Sequence, residues 1–254
     1  MRRLIDVVGV LGVLAVFANA PLPAQEAFEI SVYPYATAYR GEWELEGHLN
    51  YTNRGTTAFD GSVAPRQGQV RFAGELTRGM TDHWEMSAYL LAAQVPTQGA
   101  RYAGWRLRSR FRAPEEWRLP VKLGLSVEYE ATRPAFSESA RTFELTAILE
   151  HRIAGLQLLF DPTFERDLAG PEHSFEFEPK ARAGFDFSRT VTLGVEYYGS
   201  LGETKRWHQF YPTADLRLGD ERSLHLGVGF GSMLSGDRLV FKAAFEMPLG
   251  GEKE

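Results

Sequence analysis

Several features common in exported or membrane proteins are missing from this sequence. It has no cysteine, which excludes disulfides and cysteine-ligated metal sites. It has no internal run of about 20 apolar residues, so any membrane insertion must use strands rather than a helix. It also lacks an excess of basic residues, and its formal net charge of −5 gives no reason to expect a nucleic-acid partner.

The first 24 residues have the pattern of a secretory signal peptide. Two arginines precede an apolar run from Val7 to Ala18, and small residues follow up to Ala24, where we expect cleavage. Small exported domains usually depend on disulfides, so a chain without cysteine needs another source of stability, such as a closed hydrogen-bonded barrel. We therefore divide the chain into a signal peptide at 1–24, an N-terminal segment at 25–40 and an outer-membrane β-barrel at 41–254.

Apolar and polar residues alternate almost without a gap from Trp43 to Met247. Successive side chains of a strand point to opposite faces, so each strand has one apolar face and one charged face. In a transmembrane barrel the apolar face contacts lipid and the charged face lines the lumen. The strand at 101–112 illustrates this: Ala103, Trp105, Leu107 and Phe111 share one face, and Arg106, Arg108, Arg110 and Arg112 share the other.

The alternation divides into twelve candidate strands, an even number as in most bacterial barrels. Most connections after odd-numbered strands are long, and most after even-numbered strands are tight turns. Because short turns face the periplasm, the sequence predicts an all-β transmembrane antiparallel β-barrel with periplasmic termini. The candidate strands are 42–52, 68–78, 83–93, 101–112, 120–131, 141–151, 156–166, 174–186, 190–199, 206–217, 222–232 and 238–248.

Residues 25–40 precede this barrel and also alternate at first, with Phe28 and Ile30 opposite Glu29 and Ser31. They could form a thirteenth strand, or they could lie in the lumen or on the periplasmic rim as a plug. An even strand number favours the second interpretation, and Pro34 agrees because proline cannot donate to a sheet.

Aromatic residues on the apolar faces collect near the ends of the candidate strands, where a barrel wall crosses the two lipid interfaces. A soluble core predicts no such clustering. We assign Trp43 and Trp84 to the periplasmic girdle, and Tyr51, Tyr129 and Tyr197 to the external girdle.

The motif Gly-Glu-Trp-Glu-Leu-Glu at 41–46, followed by Arg-Gly-Met-Thr-Asp-His-Trp-Glu at 78–85, carries a family resemblance. It resembles the opening hairpin of the outer-membrane proteins grouped as meta-pathway phenol-degradation transporters. Those proteins usually have Tyr-Gly-Leu-Thr-Asp-Arg-Trp-Glu at the turn, so this chain departs at Arg78, Met80 and His83. The resemblance implies a barrel that moves small organic molecules.

The charged faces supply the candidate lumen site. An arginine ladder on one strand (Arg106, Arg108, Arg110 and Arg112) is flanked by Glu85 on the previous strand and by Glu128 and Glu130 on the next. A second charged set lies on one later strand: Glu176, Glu178, Lys180 and Arg182. Either the charges pair and rigidify the wall or close the pore, or the ladder attracts anionic solutes in a channel. The acidic neighbours suffice to neutralise the ladder, which favours pairing.

Patterns expected of an enzyme or a metalloprotein are missing. No histidine is followed two residues later by a serine, as in a twelve-stranded outer-membrane phospholipase, and no His-x-x-x-His occurs. We therefore predict no catalytic residues, no metal site and no cofactor.

These observations predict an outer-membrane channel or facilitator for small solutes of unknown identity. The alternative is a plugged, non-conducting barrel that acts as a scaffold or an anchor for periplasmic partners. A soluble lipocalin-like barrel is a third interpretation, but its eight strands would leave several over. The expected partners are outer-membrane lipid and lipopolysaccharide, the barrel-assembly machinery during biogenesis, and a small solute.

Overall fold

The computed structural model describes residues 28–169, 175–201, 206–219, 221–232 and 236–250. The predicted signal peptide, residues 1–24, lies outside these ranges. Within them, no helix is long and apolar enough to cross a membrane.

The described residues form twelve strands, and each lies within three residues of its predicted bounds. A short 3-10 turn at Glu115–Trp117 is the accompanying helical element. The strands are β1 Trp43–Arg54, β2 Val70–Thr81, β3 Trp84–Val95, β4 Gly99–Arg112, β5 Lys122–Thr132, β6 Arg141–Ile153, β7 Leu156–Asp167, β8 Glu176–Asp186, β9 Val191–Leu201, β10 Arg206–Arg217, β11 Ser223–Gly231 and β12 Leu239–Pro248.

Every strand pairs antiparallel with its neighbours, and β1 pairs with β12 to close the barrel. The closing register runs from Glu44 opposite Pro248 to Thr52 opposite Val240. Closure leaves no strand edge unpaired, which supplies the stability that disulfides provide elsewhere. β1 begins and β12 ends at the same end of the barrel, here called the turn end, and the opposite end is the loop end.

The outer wall is apolar and exposed. Leu45, Leu49, Phe72 and Leu90 are between 40% and 58% exposed, and similar residues follow on the other strands. A continuous apolar surface around a closed barrel is suited to lipid and not to water, so the soluble interpretation is wrong. The fold is that of a transmembrane outer-membrane barrel, as predicted.

The five girdle residues lie on this outer wall. Trp43 and Trp84 are the first residues of β1 and β3 at the turn end, while Tyr51, Tyr129 and Tyr197 lie towards the loop end of their strands. Trp84 stacks on Phe111 of β4, with ring centroids 5.7 Å apart. Their role at the lipid interfaces stays a prediction.

Two connections depart from the predicted alternation of loop lengths. The β3–β4 connection at the loop end is a tight turn of residues 96–98, where Thr97 and Gly99 have positive φ. The β4–β5 connection at the turn end spans 113–121 and holds the 3-10 turn. The strands β3 and β4 extend further towards the loop end than the turn signals indicated.

The β1–β2 loop, residues 55–69, contacts other loops at the loop end. The Ala64 amide donates to the Ala135 carbonyl at 2.9 Å, in the β5–β6 loop. Arg66 forms an ion pair of 3.4 Å with Asp237, in the β11–β12 loop, and both side chains are buried. The loop is therefore tied to two others across the mouth of the barrel.

Candidate functional site: the charged lumen

Residues 28–40, here called the lumen segment, lie inside the barrel. Most of their hydrophobic side chains are buried, with Phe28, Tyr33 and Tyr35 between 2% and 5% exposed, whereas Tyr39 at the turn end is exposed. Phe28 packs edge-on against Phe136, with 6.3 Å between ring centroids. The lumen segment forms no strand pairing with the wall.

Polar side chains of the wall bind the backbone of the lumen segment instead. Carboxylates accept from its amides and cationic or amide groups donate to its carbonyls, which satisfies six backbone groups of this extended chain. The accepting pairs are Asp161 with the Tyr33 amide at 2.6 Å, Glu150 with the Tyr35 amide at 3.0 Å and Glu85 with the Ala38 amide at 2.6 Å. The donating pairs are Asn50 to the Phe28 carbonyl and Lys242 to the Ile30 carbonyl, both 2.9 Å, and Arg110 to the Ala36 carbonyl at 2.9 Å.

The lumen segment runs along the barrel between its two ends. Phe28 lies beside Asn50, in the half of the barrel nearer the loop end. The segment leaves at the turn end, where the Gly41 amide donates to the Gly79 carbonyl at 2.8 Å. A Cβ at Gly79 would come within 1.9 Å of the Tyr39 carbonyl oxygen, so a glycine permits this close approach.

The arginine ladder points inward and is ion-paired. The register sets Glu130 opposite Arg106 and Glu128 opposite Arg108. Arg106 donates to Glu130 at 2.5 Å and lies 3.4 Å from Glu128, and it also reaches Glu29 of the lumen segment at 2.7 Å. All of these side chains are at least 88% buried. Arg106 is thus shared among three carboxylates.

Arg108 joins the lumen segment to a strand that is not its neighbour. It lies 3.2 Å from Glu29 and pairs with Glu75 on β2, reaching past Ser87 on the intervening β3. The small serine leaves room for the guanidinium to cross. Arg108 also lies over the ring of Tyr33, 4.8 Å from its centroid, which is within cation–π range.

Arg110 and Arg112, the two ladder residues nearer the turn end, also contact wall residues. Arg110 pairs with Glu85 at 2.6 Å, as their opposed register positions predict. Arg112 is only partly buried and donates to the Asp82 carbonyl at 2.8 Å. The sequence therefore placed Glu85, Glu128 and Glu130 beside the ladder, but it did not single out Glu75.

The members of the second charged set, Glu176, Glu178, Lys180 and Arg182, do not form one network in the structure. Lys180 pairs with Glu144 at 3.1 Å, and Arg182 pairs with Asp215 and lies 3.5 Å from Glu196. Glu176 and Glu178 are partly buried on the same strand, opposite Glu165 and Thr163 of β7.

Glu196 is the centre of a network that the sequence did not single out. It pairs with Lys242 and lies 3.3 Å from His225, which in turn contacts Asp215 at 2.5 Å. Alternation places Glu196 and Lys242 inward, but nothing in the sequence shows that they meet. The same holds for Glu29, whose place on the polar face of residues 28–33 was the available signal.

Two cavities remain beside the lumen segment. One of about 640 Å³ lies at the turn end and is lined by Trp43, Glu44, Glu46 and Glu85 among others. A second of about 260 Å³ lies between the segment and β9–β12, beside Arg182 and Lys242. The larger cavity is within the size range of small-molecule pockets, about 300–1,000 Å³, and the smaller one is just below it.

One group of side chains has the chemistry of a metal site. Ligand atoms of Glu29, His48 and Glu75 lie within 4.8 Å of one another, and all three residues are buried. The group joins the lumen segment to β1 and β2. Sequence patterns could not find it, because its members come from three separate stretches of chain.

A scan against protein-family models and a search of curated proteins find no match to this sequence. Solved structures do match its fold. It is similar to an outer-membrane channel from Pseudomonas putida F1, with a TM-score of 0.57 and 13% identity over 87% of this chain and 100% of that one.

Two porins are similar as well. The KdgM porin in complex with disordered oligogalacturonate has a TM-score of 0.56 and 8% identity, covering 82% of this chain and 99% of that one. The NanC porin has a TM-score of 0.52 and 6% identity, covering 82% of this chain and 100% of that one. These likenesses establish a porin-like barrel fold, while the phenol-degradation type stays a prediction.

Proposed function

We propose that this protein is an outer-membrane channel for small solutes, and that the lumen segment controls how much of its bore is open. One observation carries the proposal: the barrel closes through β1 and β12 without any contribution from the lumen segment. The segment is held by side chains alone, so it can leave the bore while the wall stays intact.

The charge distribution supports polar solutes as the cargo. Most buried wall residues, which face the lumen, are polar or charged, while Leu91, Trp207 and Tyr211 belong to smaller apolar clusters there, and the exposed outer face is apolar. The cavity at the turn end is lined by Glu44, Glu46 and Glu85, so its free surface is acidic. Channels select solutes by the charges that line them. The resemblance to phenol-degradation transporters suggests small organic molecules, and the acidic lining favours polar or cationic members of that class.

The structural neighbours support a channel in the outer membrane, since they are named as an outer-membrane channel and as porins, one of them with bound oligogalacturonate. Lipid and lipopolysaccharide around the wall and the barrel-assembly machinery during biogenesis stay part of the proposal. No enzymatic step is included.

The test is single-channel conductance of the refolded mature protein in planar bilayers, beside a chain that lacks residues 25–40. Heat-modifiable migration on a gel confirms that each barrel has folded. We expect small or rare steps from the full chain and larger, steady steps from the truncated chain. Equal conductance of the two would refute control by the lumen segment.

The burial of the ion pairs favours a second function, that of a non-conducting barrel, because Glu29, Arg106 and Arg108 are 95% or more buried. Such a network could hold the lumen segment permanently and leave a non-conducting scaffold or an anchor for periplasmic partners. Silence from both folded proteins would support this alternative and refute the channel.

A further inference from the structure

The structure assigns a divalent-cation site to Glu29, Glu46, His48 and Glu75, here called the junction site, where the lumen segment meets the wall. It would take a transition-metal ion of the Zn²⁺ class. The inference goes beyond the proposed function, because an ion can bind whether or not the barrel conducts.

The geometry converges on one histidine nitrogen. His48 Nε2 lies 3.4 Å from Glu46 Oε1, 3.8 Å from Glu29 Oε1 and 3.9 Å from Glu75 Oε2. Ligand atoms about 2.0–2.2 Å from a tetrahedral zinc ion stand about 3.4 Å apart. His48 and each carboxylate therefore need to approach by about half an ångström or less, and the ligand atoms of Glu29, His48 and Glu75, which lie within 4.8 Å of one another, need to close by up to about 1.4 Å to enclose an ion.

Two of these atoms are buried without a hydrogen bond. His48 and Glu75 are 3% and 2% exposed, and neither His48 Nε2 nor Glu75 Oε2 has a hydrogen-bond partner among the described residues. A buried polar atom without a partner is costly, and most such atoms in proteins are satisfied. Both atoms point into the junction site, where an ion would satisfy them together.

The charges around the junction site also favour the binding of a cation. Arg106 and Arg108 pair with four carboxylates, Glu29, Glu75, Glu128 and Glu130, and Glu46 is a fifth carboxylate beside His48. With a protonated His48 the excess is about two negative charges, and it is about three once His48 binds a metal as a neutral imidazole. A divalent ion offsets most of it.

The ligand set and the access route fit a metal ion. Imidazole with carboxylate oxygens is a donor set that zinc accepts, whereas calcium and magnesium prefer oxygen alone. Arg108 engages Glu75 through Oε1, which leaves Oε2 for the ion, whereas Glu29 Oε1 would be shared between the ion and Arg108. Glu46 lines both cavities, and the larger one extends to the exposed Tyr39 and Trp43 at the turn end, which gives an ion a path.

The test uses the untagged, refolded full chain, stripped with a chelator and titrated with Zn²⁺ by calorimetry. We expect one ion per chain and a loss of affinity of more than tenfold in His48→Gln, because even residues outside the ligand set typically contribute about 10- to 100-fold. His151→Gln is the matched control, since His151 is exposed on the wall away from the site. We expect its affinity to be unchanged.

X-ray absorption of the zinc-loaded natural chain keeps the proposal testable if the His48 variant fails to fold. We expect one imidazole and otherwise oxygen ligands around the ion, because the junction site holds a single histidine. Two or more imidazoles, no binding, or equal losses in the His48 and His151 variants would overturn the junction site. None of these results bears on conductance, so this inference and the proposed channel can fail separately.

Discussion

Replacing Glu29 with glutamine should release the lumen segment from the wall. The Glu29 carboxylate lies 2.7 Å from Arg106 and 3.2 Å from Arg108, and its side chain is 2% exposed. Breaking a buried ion pair costs about 3–5 kcal/mol. The lower figure applies, because Arg106 keeps Glu128 and Glu130, and Arg108 keeps Glu75.

About 3 kcal/mol corresponds to on the order of 100-fold in the equilibrium between the docked and the released segment, since about 1.4 kcal/mol is a factor of ten. The open probability of Glu29→Gln in planar bilayers should rise by up to that factor. The recordings contain a chelator, so that loss of an ion from the junction site does not contribute. The matched control is Glu116→Gln, because Glu116 is exposed in the β4–β5 connection.

Heat-modifiable migration should show that the Glu29 variant still forms a barrel, because no wall strand includes Glu29. An open probability equal to that of the Glu116 control would mean that the buried carboxylate does not hold the segment. The reasoning from ion pairs to gating would then be wrong.

Two further changes address the lumen lining. Gly229→Ala should lower the temperature of heat modification, because the new Cβ would lie 2.2 Å from the Tyr211 ring and overpacking costs about 1–3 kcal/mol. Gly47→Ala is the control. Its Cβ would meet Phe72 at an ordinary 3.6 Å, so the temperature of heat modification should not change. Replacing Arg106 and Arg108 with alanine in the chain lacking residues 25–40 should shift reversal potentials towards cation selectivity, and unchanged potentials would remove the ladder from the solute path.

The barrel could be predicted because the two faces of each wall strand follow from the alternation of neighbouring residues in the sequence. Each strand shows its lipid face and its lumen face by alternation, and the twelve strands follow within a few residues of the pattern. The same register places Glu85, Glu128 and Glu130 next to the ladder, and the structure pairs all three with it. The errors are in the connections at 96–98 and 113–121, whose lengths depend on where each strand stops, and at Ala103. The alternation put Ala103 on the outer face, but a register shift opposite Leu91 and Ala92 places it in a buried cluster with Leu91.

The lumen contacts could not be predicted in the same way. Arg108 meets Glu75 by crossing β3, and the reach depends on the small Ser87 between them and on the curvature of the wall. Glu29 belongs to the lumen segment and not to a wall strand, so no strand register relates it to Arg106. Sequence alternation gives the face of a side chain but not its partner across a closed lumen.

The wall and the lumen segment are held by different forces, and this difference determines what each can do. Backbone hydrogen bonds close the wall between β1 and β12, and water cannot compete for them at membrane depth. The lumen segment depends on side chains such as Asp161, Glu150 and Arg106, each of which can be changed singly. Because the wall does not need the segment, a single substitution can change the position of the segment and leave a folded barrel. In the proposed channel, the open area of the bore is therefore set by charge pairs that can change while the barrel stays folded.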